Sequence, residues 1–103
     1  GSHCESDYGS GYAVSDSPLG TYRKYEGNPI LRSTKEMPGV GHHCITRSPD
    51  GQEMFIVYHR HFDGTRMSPR CVCVDRIHFE KQPEGPDILV VDGPTAEPQP
   101  CFF

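Results

Sequence analysis

No segment of this 103-residue chain spaces its apolar residues at helical intervals. The apolar positions come in short runs, and Pro, Gly, Asp or Ser interrupts each one within a few residues. Eleven Gly and ten Pro supply most of the interruptions. A stable helix needs an unbroken period of about 3.6 over roughly ten residues or more. What remains is a strand-and-turn chain, so the expected fold class is all-β, built of antiparallel sheets.

Six strands are expected, over residues 11–16, 21–26, 42–47, 53–60, 70–79 and 87–91. "SPLG" (Ser17 to Gly20) joins the first two, with Pro18 pre-setting the backbone angle of a turn. "SPDG" (Ser48 to Gly51) joins the next two, and Gly51 is free to turn left-handed. The run Met54-Phe55-Ile56-Val57-Tyr58 is apolar on both faces, which marks a central strand. The order is a hairpin followed by a four-stranded meander, the length and sequence of one propeller blade.

Charge and length exclude several functions. The net charge is −4 and the Lys and Arg residues are scattered, which gives no basic face for nucleic acid. No apolar run approaches the roughly 20 residues that span a bilayer, so no membrane partner is expected. The five cysteines, Cys4, Cys44, Cys71, Cys73 and Cys101, are odd in number and lack secretory pairing. Reduced thiols in a cytoplasmic setting are expected. Gly1-Ser2-His3 looks like the remnant of an expression tag, which leaves residues 4–103 as one domain.

Three stretches together resemble glycoside hydrolase family 43, the five-bladed β-propeller xylosidases, arabinofuranosidases and arabinanases. They are "YGSGYAVSDSPLGTYRKYEGNPIL", "GVGHHCITRSPDGQEMFIVYHRH" and "RCVCVDRIHFEKQPEGPDILVVDGPT". The resemblance runs from about Tyr8 to Pro98. It implies that residues 8–31 are the outer hairpin of one blade and residues 41–94 the four-stranded final blade. It also implies an inverting glycosidase chemistry with an Asp base, a second Asp and a Glu acid, two of them flanking the scissile bond. The acid's position in the family precedes Tyr8, so no catalytic residue is assigned in this chain. His42 matches the family histidine that faces the propeller axis and in some members supports a central metal ion. Arg70 matches an arginine that helps hold the sugar. Cys44 stands where the family often has Ser, and Thr21 where many members have Pro.

Other clusters compete with that reading. His59 and His61 share a strand face, as do Cys71 and Cys73, and H-x-H beside C-x-C would supply four zinc ligands. The C-x-x-C spacing usual for zinc is absent, and buried small cysteines explain the same pattern. Cys44 follows His43, but strand neighbours point to opposite faces, so a Cys–His nucleophile needs another histidine. Asp16, Asp50, Asp75 and Asp92 read as solvated carboxylates at turns and strand flanks, and Arg70 alternatively pairs with Asp63 or Asp75 on the surface.

The expected function is a non-catalytic, self-associating propeller fragment with weak binding of a pentose-containing saccharide through His42 and Arg70. No cofactor is expected beyond a central metal ion near His42. Unpaired strand edges and sheet faces that lack neighbouring blades favour a homodimer. The alternative is a piece or subunit of an active inverting glycosidase acting on xylosides or arabinofuranosides.

Overall fold

A computed structural model describes residues 2–98; Gly1, Cys101 and the end of the Pro-rich tail lie outside the described residues. The architecture is all-β. A two-stranded sheet pairs β1 (Ala13–Val14) with β2 (Arg23–Lys24). A four-stranded antiparallel sheet follows in chain order, β3 (Gly41–Arg47), β4 (Met54–Arg60), β5 (Cys71–Glu80) and β6 (Ile88–Val91). Among the described residues no helix is long and apolar enough to cross a membrane.

The first hairpin is shorter than its sequence suggests, for a local reason. The last backbone bond is from the Tyr25 amide to the Tyr12 carbonyl at 3.1 Å, and the Asn28 side chain completes the pairing of Tyr12. Its Oδ1 accepts from the Tyr12 amide at 3.0 Å, and its Nδ2 donates to the Tyr12 carbonyl at 2.7 Å. Tyr12 stacks on Tyr25 with ring centroids 5.0 Å apart. A side-chain amide thus extends the pairing where the backbone ladder stops.

β4 lies between β3 and β5, as its two-faced apolar run requires. The register sorts its residues. Ile56 faces Asp75 and Tyr58 faces Cys73, so these share one face with Ile77. Leu31, Met37 and Val40, from the loop before β3, pack on that face and close the core with Ile56, Tyr58 and Ile77. The 48–51 turn closes as expected: Gly51 N–H donates to the Ser48 carbonyl at 2.9 Å, and Gly51 has φ 74°.

Asp75 is not a solvated flank carboxylate. It is 1% exposed in the middle of β5. Its Oδ2 accepts from Tyr58 Oη at 2.6 Å and from the Thr95 amide at 3.1 Å. The reason is strand phase: Cys71, Cys73, Asp75 and Ile77 alternate onto the core face, and Asp75 is carried in with them. The buried carboxylate holds the segment after β6 against the sheet. A Cβ on Gly93 would collide with it, so only glycine fits there. Burial and the Asp75 contact push the Tyr58 phenol well above its ordinary range.

Candidate functional site

The stretch Gly39-Val40-Gly41-His42-His43 enters β3 and assembles a cluster at that end of the sheet. Gly39 has φ 63°, and a Cβ there would strike the His61 ring. Gly41 likewise leaves room for the Tyr8 ring. The two glycines therefore let aromatic side chains lie directly on the backbone. His61 is held by its own amide, which donates to the Pro38 carbonyl at 2.8 Å, and by Nε2, 3.0 Å from the His3 carbonyl.

Between Gly41 and Cys44 the ladder slips. Gly41 faces His59 and Cys44 faces Val57, so β3 carries one residue more than β4 across this span. The extra residue makes a β-bulge, a device that re-aims side chains. His42 sits in it with φ 51°, the only described non-glycine residue in the left-handed region. Its ring stacks on His59, with centroids 5.8 Å apart and planes 14° apart. Tyr8 stacks on His59 at 6.5 Å.

Arg70 precedes β5 beside this stack. It pairs with neither Asp63 nor Asp75. Asp63 is held by Arg66 at 2.9 Å, and Asp75 faces the core. Arg70 donates instead to the Met67 carbonyl at 2.9 Å and approaches the His3 carbonyl at 3.5 Å. Arg70 Nε and His59 Nδ1 are buried and lack a hydrogen-bond partner within the protein. Burial holds the His59 imidazole below its usual pKa, and the Arg70 and His42 charges add to the effect. The arrangement offers flat ring faces and two uncommitted polar atoms, which suits a ligand with an apolar face and hydroxyls.

The register separates the zinc candidates. His59 faces Val72, whereas Cys71 faces Arg60 and Cys73 faces Tyr58, so His59 and the two cysteines lie on opposite faces of the sheet. His61 is 3% exposed and turned to the His3 carbonyl. Among the described residues no group of three or more His, Cys, Asp or Glu side chains could hold a metal ion. A central ion near His42 thus meets the stacked His42 and His59 imidazoles next to the Arg70 guanidinium, and these residues alone do not fit it. His43 is turned to Ser10 Oγ, 3.2 Å from its Nδ1.

Two members of the cluster were not assigned from sequence. Tyr8 enters from far away in the chain; its only signal is Gly41, a glycine where a side chain would otherwise stand. His59 was grouped with cysteines because the bulge, which sets its true neighbours, has no signature of its own.

The family model for glycosyl hydrolases family 43 matches residues 1–83. The chain belongs to this family. It is 32% identical over 89 residues to the Beta-D-galactofuranosidase xynD of Aspergillus niger, covering 85% of this chain and 25% of that protein. The crystal structure of a thermostable family-43 glycoside hydrolase superposes with a TM-score of 0.80 at 44% identity, covering 97% of this chain and 32% of the other. An endo-1,4-beta-xylanase from Bacteroides thetaiotaomicron VPI-5482 gives a TM-score of 0.79 at 26% identity, covering 90% and 31%. The family 43 chain thus spans a quarter to a third of the relatives it matches, and its two sheets are part of a family 43 propeller.

Proposed function

We propose that this family 43 chain contributes a carbohydrate-binding surface, centred on His42 and Arg70, and performs no glycoside cleavage by itself. The observation that carries this reading is His42. A non-glycine residue in the left-handed region costs about 1–2 kcal/mol, and such strain concentrates where a side chain must be aimed. Here it lays the His42 ring on His59, beside two buried polar atoms that have no protein partner.

Cleavage by inversion needs two carboxyl groups about 6.5–9.5 Å apart across the scissile bond. The residues gathered at this site are aromatic, imidazole and guanidinium. Asp63, Asp75 and Asp92 are engaged elsewhere, by Arg66, Tyr58 and His78. The ligand class is a pentose- or furanose-containing saccharide. The galactofuranosidase relative adds galactofuranosides to the xylosides and arabinofuranosides expected from sequence.

Titration with xylose, arabinose and methyl β-D-galactofuranoside, followed by amide chemical shifts, tests the proposal. Saturable shifts centred on residues 41–44, His59 and Arg70 are expected, and they are lost in Arg70→Ala. His42→Gly keeps the backbone conformation without strain and removes the ring, so it separates the ring's role from the fold's. Saturable binding that survives both substitutions refutes the site. Release of product from aryl furanosides by this chain refutes the non-catalytic part and favours the second reading, an active glycosidase piece.

The same proposal includes self-association as a dimer. Val72 is 83% exposed on the face that also carries His59, and β3 is an open edge. Exposed edges and apolar side chains of this kind recruit another chain. Light scattering over a concentration series should give the mass of a dimer. A monomer across the micromolar range removes this part of the proposal.

A further inference from the structure

Cys71 and Cys73 belong to none of the chemistry above. They are half-buried free thiols on the same face of β5. With Met37, Arg60, Thr95 and Glu97 they line a pocket of about 200 Å³ between the sheet and the segment after β6. Two residues along an extended strand lie about 6.7 Å apart. That is at the outer limit of disulfide geometry, so the strand keeps the two sulfurs from bonding to each other. The spacing suits a bridging ion better. Metal–thiolate bonds of about 2.3 Å place two sulfurs on one ion roughly 4 Å apart, a separation that side-chain rotation can reach. The Cys73 thiol donates to the Cys71 carbonyl, with its Sγ 3.7 Å from that oxygen.

We propose that Cys71 and Cys73, with the Met37 thioether beside them, form a binding site for a soft, low-coordinate metal ion, with Cu(I) as the ligand. Soft thiolate and thioether donors select Cu(I), whereas zinc needs a fuller set of nitrogen, sulfur or oxygen ligands. Among the described residues no group of three or more His, Cys, Asp or Glu that could hold a metal ion forms here, which disfavours zinc or a harder ion. Met37 packs in the core cluster against which Cys73 rests and lines the same pocket as both cysteines. Arg60 stands opposite Cys71 in the ladder and brings a cation next to the thiolates that the ion creates. The site lies on the opposite face of the sheet from His59 and is independent of the sugar-binding proposal.

The test is anaerobic competition for Cu(I) against bicinchoninate. It uses the full chain with Cys4→Ser, Cys44→Ser and Cys101→Ser, so that only the two thiols of interest remain. Withdrawal of one Cu(I) per chain is expected. Cys71→Ser or Cys73→Ser should weaken it by at least the roughly 10–100-fold that loss of an outer-sphere partner costs. Cys71→Ala and Cys73→Ala repeat the measurement with a different side chain, and circular dichroism verifies the fold of each variant. Met37→Leu conserves volume and should weaken binding by less than either cysteine change. Failure of the folded parent to withdraw Cu(I), or unchanged affinity after loss of one thiol, overturns the proposal. Equal competition by Zn(II) overturns its low-coordinate character.

Discussion

The two ends of the four-stranded sheet each carry an imidazole under electrostatic control, and the control has opposite sign. At the end where β3 begins, His59 stacks with His42 and with Tyr8, and the Arg70 charge acts on it. Burial first, then these cations, favour its neutral form. Where β5 ends, His78 stands in solvent between Glu80, 3.3 Å away, and Asp92, 3.2 Å away. Those carboxylates favour the charged form. The same residue type is a half-buried, stacked ring in one place and a solvated ion-pair partner in the other. The difference lies in the backbone beneath: two glycines and a bulge crowd rings together at the first end, while regular pairing of His78 with Val90 leaves the second open.

The largest effect should come from filling the crowded end. Gly39→Ala places a Cβ in the left-handed region and against the His61 ring. Backbone strain and overpacking together should cost about 2–5 kcal/mol, read as a fall in the urea midpoint at unchanged slope. An unchanged midpoint would show that this end of the sheet is loose. A smaller effect is expected from His59→Gln. A folded-state pKa below 6.5 means the unfolded chain binds more protons in that window, so the His59 contribution is complete above pH 6.5 and is lost as pH falls through the folded value. The variant should lose less stability than wild type between pH 7 and pH 5. The smallest effect belongs to His78→Gln. Here the folded pKa is raised, so the contribution is complete below pH 6.5 and is lost as pH rises through the folded value. Thermal midpoints of the variant and wild type should diverge slightly at acid pH and converge in alkali. Both histidine variants changing the pH profile in the same direction would break the comparison.

Much of the sheet was legible because its signals are local. The two-faced apolar run of β4 and the Ser48–Gly51 turn are each written in consecutive residues, and the structure places both as expected. The first hairpin was overextended because the Asn28 clamp on Tyr12 joins residues that no periodicity links. Asp75 was misread by residue type, although the alternation Cys71, Cys73, Asp75, Ile77 carries it inward. At the proposed site, the family resemblance singles out His42 and Arg70 as candidates. It did not supply Tyr8 or the stacking role of His59, which depend on contacts distant in sequence and on a one-residue slip between strands.

That slip also works as a phase setting. Side chains on a strand alternate with period two, so one extra residue exchanges inside for outside along everything on one side of it. The backbone upstream of His42, which seats Val40 in the core, and the strand downstream, which pairs Ile45 with Ile56, are in register with the rest of the protein only because the count between them is odd by one. Deleting either His42 or His43 therefore does more than remove an imidazole. Whichever half of the segment keeps its partners, the other is turned over, and the core or the strand edge is rebuilt with the wrong residues.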